Sequence, residues 1–112
     1  MTAGSRKGSR RRTVCARVIA EETRCWLCGF VVDKRLNRQV HPLAASVDEI
    51  VPIALGGSDT DRRNLRLAHR WCNSWRRQTY PWSPTLQAQL HQALAAKGYL
   101  VGPTGPGPSR RW

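Results

Sequence analysis

The chain has 112 residues, room for one small domain that would gain from a staple. Nineteen Lys and Arg against seven Asp and Glu leave a net charge of +12, with 40% hydrophobic residues including five Trp. This composition excludes a wholly disordered basic tail, and no apolar stretch nears the ~20 residues that span a bilayer, so a soluble nucleic-acid partner is expected and a membrane is not. Arg11 and Arg12 have no apolar signal core behind them, which predicts a cytoplasmic setting.

Residues 1–12 hold Gly, Ser and a basic cluster with Arg10, Arg11 and Arg12, and read as a flexible arm that would tether DNA. The folded domain is expected over 13–100. Val14, Val18 and Ile19 recur at helical spacing, predicting a helix from Thr13 to about Thr23. Cys25-Trp26-Leu27-Cys28 forms a C-x-x-C knuckle, followed by a short strand at Val31-Val32 and a basic loop with Lys34, Arg35 and Arg38. Ser46 to Val51 reads as a strand halted by Pro52, and Gly56-Gly57-Ser58-Asp59 as a turn. Asn64 to Ala68 predicts a second strand, and His69 to about Thr79 a helix that ends before Pro81. Ser83-Pro84 is a helix start, Leu86, Leu90, Ala93 and Leu94 keep helical spacing, and Gly98 is a stop. The Gly/Pro-rich tail over 101–112 predicts disorder.

In a reducing compartment a disulfide framework is the poorer reading of four cysteines. Two thiolates at C-x-x-C spacing grip one zinc, and His69-Arg70-Trp71-Cys72 repeats that spacing with a leading His. Cys25, Cys28, His69 and Cys72 therefore make a closed structural Zn2+ set, which would contribute folding free energy to a small domain. Cys15 is surplus to a tetrahedral site and is expected to pack as a small apolar residue.

The block from Ser46 to Arg77 carries Asp48, Ile50, Pro52, Gly56-Gly57, Asn64-Leu65, His69, Cys72 and Asn73 in order. With Cys25 and Cys28 it resembles the HNH endonucleases, most closely the small HNH proteins of bacteriophages. The resemblance implies an α+β fold: a small zinc-stapled ββα-metal core with flanking helices. It also implies a metal-dependent DNA endonuclease, nicking or cleaving phosphodiester bonds, with phage packaging proteins as further partners. Positions matching Asp48 and Asn73 would share a catalytic Mg2+ or Mn2+, and Asn64 would tie the loop backbone and steady the base. Asp48 is a hard oxygen ligand of the kind such ions prefer.

Glu49 stands where the family usually has His. An unperturbed Glu titrates near 4.3, below the range that suits a general base. In a regular strand Asp48 and Glu49 also point to opposite faces, so one site uses both only if the strand end is distorted. Three readings stay open: Glu49 is the base, His41 supplies the imidazole, or cleavage is slow or absent. The last makes the chain a zinc-stabilised DNA-binding module.

No acid follows Asp61, and Arg70, Arg76 and Arg77 straddle the second helix, where phosphate contacts are expected. Trp71, Trp75 and Trp82 suit base stacking or, more commonly, packing. His91 falls on the polar side of the last helix and reads as solvated.

Overall fold

The computed structural model describes the backbone of residues 3–99 and the side chains of residues 8–99. Among them are three helices and one two-stranded antiparallel sheet, the expected small α+β arrangement. In chain order these are α1 (Ala3–Glu21), β1 (Ala45–Glu49), β2 (Leu65–His69), α2 (Arg70–Arg76) and α3 (Pro84–Lys97). The tail expected over 101–112 lies outside the described residues. No described helix is long and apolar enough to cross a membrane.

Helix α1 departs from expectation at its start. The arm over 1–12 is helical from Ala3 onward, because the turns around Val14, Val18 and Ile19 anchor on the core and propagate through good helix formers such as Arg. Its last turn leads to Glu22, whose carboxylate accepts the Leu67 N–H at 3.0 Å, while Trp26 N–H donates to Leu67 O at 2.8 Å. The outer edge of β2 is thus satisfied by a side chain and by the knuckle instead of a third strand. The strand expected at Val31-Val32 is only a single bridge between Arg24 and Val31.

The sheet pairs Ala45 with His69 and Glu49 with Leu65 at its two ends. This register places Ala45, Val47, Leu65 and Leu67 in one core with Val18, Leu27, Leu43, Leu90 and Leu94. Beyond Glu49, Pro52 opens a short turn of 3₁₀ helix over Ile53–Leu55, which Gly56 closes at φ 94°. Asn64 holds that excursion shut: its amide accepts from Val51 N and donates to Val51 O and Ser58 O, at 2.8–3.1 Å.

Helix α3 starts and stops as its termini predict. Ser83 caps it by accepting from Leu86 N, Pro84 occupies the first turn, and Gly98 ends it at φ 75°. Its inner face braces the knuckle, with Gln87 donating to Leu27 O at 3.0 Å and His91 Nε2 2.8 Å from Cys28 O. His91 also stacks on Phe30, with ring centroids 4.7 Å apart, so it is a packing residue and not a solvated one. Trp82 bonds Leu27 O and meets Trp75 edge-on, and Trp71 meets Tyr99 the same way. These indoles pack helices against the knuckle.

Candidate metal centre and adjoining cavity

The knuckle turns on Gly29, which adopts φ 84° while Cys25 N–H bonds Phe30 O and Gly29 N–H bonds Cys25 O. This turn brings Cys25 and Cys28 beneath the end of β2, where His69 ends the strand and Cys72 lies in the first turn of α2. The four ligand atoms lie within 4.8 Å of one another, and all four residues are buried. His69 Nδ1 is 3.4 Å from Cys28 Sγ and 3.7 Å from Cys72 Sγ. A tetrahedral ion with zinc-like bond lengths separates sulfur from nitrogen by about 3.6 Å. His69 Nε2 faces Val31 O at 3.2 Å, which leaves Nδ1 as the ligating atom. These residues form a buried Cys3His group that could hold a structural metal such as zinc.

Electrostatics point the same way. Burial opposes ionisation of Cys25, yet bonds from Cys28, Cys72 and His69 hold its thiol well below the usual range. Beside that thiolate, Cys28 is pushed up to about 12, first by its bond to Cys25, and Cys72 is raised for the same reason. The pocket favours one thiolate by itself; three together need a cation.

One helical turn past the cluster, a cavity of about 670 Å3 opens between the end of β1 and α2. Its lining includes Asp48, Glu49, Ile53, Asn73, Arg76 and Arg77. Asp48, Glu49 and Asn73 thus line one cavity, with Glu49 the last residue of its strand and its carboxylate on Arg11. Asn73 donates its amide N–H to Ser46 Oγ at 3.2 Å and Val47 O at 3.4 Å, leaving Oδ1 without a donor among the described residues. Asp48 receives both the Trp26 indole N–H (3.0 Å) and Arg76 Nη1 (2.9 Å) on Oδ2. Burial pushes its carboxyl above the usual range, and Arg76 and Trp26 pull it back only in part.

Three expected roles are not met. Arg76, expected on a phosphate-facing surface, is 1% exposed. Its guanidinium bonds Asp48 Oδ2, Glu49 O, Ile50 O at 2.7 Å and Thr79 O at 3.0 Å, and lies 5.1 Å from the Trp26 ring centre. The fork of donors thus joins the carbonyls at the end of β1 to the Asp48 carboxylate and to Thr79 O past α2. Its spacing of four from Cys72 is the signal for this, since that residue's face of α2 must turn inward. Arg11 is likewise occupied, with Nη2 2.9 Å from Glu49 Oε2 and Nη1 2.7 Å from Asp59 O. His41 is not brought to the cavity: its Nδ1 accepts the Leu43 N–H at 3.0 Å in the preceding loop.

Arg10, Arg12, Arg70 and Arg77 are exposed and have no ion pair among the described residues. Arg77 is the one described non-glycine residue with positive φ, 56°, and it stands at the cavity rim. Sequence reasoning missed Trp26 as a partner of Asp48; its place inside the knuckle hides a contact made 22 residues away. Comparison with protein-family models, with curated proteins and with solved structures found no match to the chain.

Proposed function

We propose that the chain is a metal-dependent DNA endonuclease of the HNH type, in which Cys25, Cys28, His69 and Cys72 hold zinc as a scaffold. The observation that carries this reading is the convergence of Asp48, Glu49 and Asn73 on one cavity beside the Cys3His group. The donor set suits a hard cation: a carboxylate oxygen and an amide oxygen, both anchored by their other atoms. Mg2+ or Mn2+ held by Asp48 and Asn73 would neutralise charge on the scissile phosphate and the leaving oxygen. Trp26 and Arg76 fix the Asp48 carboxylate, and the Asn73 amide is fixed by β1. Glu49 takes the proton of the attacking water, with Arg11 holding its carboxylate in place. Asn64 keeps the loop after β1 closed, and Arg70 and Arg77 offer phosphate contacts.

A second reading is a DNA-binding module that does not cleave. It is favoured by the guanidinium on each carboxylate, Arg76 on Asp48 and Arg11 on Glu49, both at 2.9 Å, which reduces the demand for a cation. A supercoiled-plasmid assay with Mg2+ or Mn2+ separates the two. The nuclease reading expects wild-type nicking that is reduced at least about 100-fold in Asp48→Asn, Asn73→Ala and Glu49→Gln, each assayed below its own melting temperature, which falls in Asp48→Asn because the charge opposite Arg76 is removed. Wild type indistinguishable from Asp48→Asn with either metal leaves the binding module.

A further inference from the structure

We propose that the groove between α1 and residues 37–39 is a second DNA-backbone site, seating duplex that flanks the part held at the Asp48–Asn73 cavity. It rests on the DNA-binding component of the function proposed above, and not on cleavage. The groove encloses about 880 Å3 and is lined by Arg11, Arg12, Asn37, Arg38 and Gln39, with no acid in its lining. Arg12 and Arg38 have no ion pair among the described residues.

One of the two guanidinium groups is positioned in advance, and the other is exposed along α1. Arg38 Nε donates to Ala45 O at 3.2 Å, which pins the side chain and leaves its two terminal nitrogens for a ligand. Arg12 Nη1 lies over the helix at Gly8, 3.5 Å from where a Cβ would stand. Asn37 Oδ1 accepts the Gln39 N–H at 2.9 Å, so its amide N–H group is the part available to an anion. Planar forks and amide donors around an acid-free groove match phosphate oxygens.

Continuity identifies the occupant. Arg11 lines this groove and bonds Glu49, which lines the other cavity, so one ion pair links the two linings. A ligand that fills both must be a long, regularly charged polyanion. Among the described residues at least six acids are engaged by arginines, and Arg12 and Arg38 are outside those pairs. Duplex DNA meets these requirements.

The test is fluorescence anisotropy with a labelled duplex of about 20 base pairs over a salt series, without added divalent metal so that no cleavage occurs. Loss of one phosphate contact lowers the salt slope by about 0.9, or about eightfold in affinity at about 0.1 M salt when the curves meet near 1 M. Arg12→Ala and Arg38→Ala are expected to show this, whereas Lys97→Ala, a cation that lines neither cavity, keeps the wild-type slope. Gly8→Glu sets an acid one turn from Arg12, favours the helix and is expected to weaken binding without lowering the melting temperature. Groove variants that match Lys97→Ala, Gly8→Glu binding as wild type, or polyglutamate competing as well as duplex would each overturn the proposal. Absent plasmid nicking together with reduced slopes defeats the nuclease reading alone; metal-dependent nicking with unchanged slopes defeats the groove alone.

Discussion

Arg76 Nη1 lies 2.9 Å from Asp48 Oδ2 with both side chains almost wholly enclosed, 1% and 5% exposed. The pair ties α2 to β1 at the cavity floor, and the same guanidinium bonds three backbone carbonyls around it. Removing one partner of a buried pair leaves an uncompensated charge, at a cost of about 3–5 kcal/mol. Chemical denaturation of Arg76→Ala is expected to show a loss of that size. Arg76→Lys recovers only part of it, since one ammonium does not reach four acceptors. A loss under about 1 kcal/mol in Arg76→Ala would place the pair among surface bridges instead.

Metal removal should unfold the domain. The Cys3His group joins the knuckle to the β2–α2 junction, and three buried thiolates side by side would repel one another unless a cation sat between them. Native mass spectrometry is expected to find one zinc per chain. Chelation and Cys72→Ser are each expected to abolish cooperative melting, with zinc restoring it after chelation. Sharp melting of metal-free protein contradicts the scaffold role.

Gly56 and Gly57 are adjacent but not equivalent. A Cβ on Gly57 would stand 1.7 Å from Val51 O and 2.9 Å from Asn64 Nδ2, so Gly57→Ala breaks the loop tie. Gly56 has open space around it and only its φ of 94° to defend. Gly56→Ala is expected to cost about 1–2 kcal/mol by the left-handed penalty, and Gly57→Ala clearly more. Equal melting temperatures for the two variants contradict the geometry.

Arg77 should trade stability for binding. At φ 56° a non-glycine backbone is strained by about 1–3 kcal/mol, part of which glycine's larger unfolded-state entropy returns. Arg77→Gly is expected to raise stability by about 1 kcal/mol, while weakening duplex binding and nicking through loss of a phosphate contact at the cavity rim. Lower stability with unchanged binding would contradict both parts.

Acid should loosen the α1–β2 junction. Burial opposes ionisation of Glu22, but the Leu67 N–H, Arg66 and Arg62 outweigh it and hold its carboxyl below the usual range. A depressed folded-state pKa stabilises above the ordinary Glu value, and that stabilisation is lost as pH falls from there through the folded value. Wild type is therefore expected to lose stability across that acid window more steeply than Glu22→Gln, measured by denaturant midpoints against pH. Parallel curves would remove Glu22 from the acid response.

Much of the site was legible because it is local. C-x-x-C and His-x-x-Cys spacings set the ligand order, Ser83-Pro84 and Gly98 bound α3, and Asn64 sits where a turn amide is needed, whereas β1 ends at Glu49, short of the Val51 end expected before Pro52. Each depends on backbone preferences or ligand reach over a few residues, which chain order states directly.

Only the tertiary structure decided how the +12 is spent. In the sequence Arg76 and Arg77 are equal neighbours; folded, one fills the floor beneath Asp48 and the other stands at the rim. Arg11 looked like a free tether and is bound to Glu49, 38 residues on by number, while His41 stays in its own loop. The physical reason is that a guanidinium serves a buried carbonyl or a phosphate with the same donors. Which it meets depends on the face of the helix and on partners far away in the chain, and composition records neither.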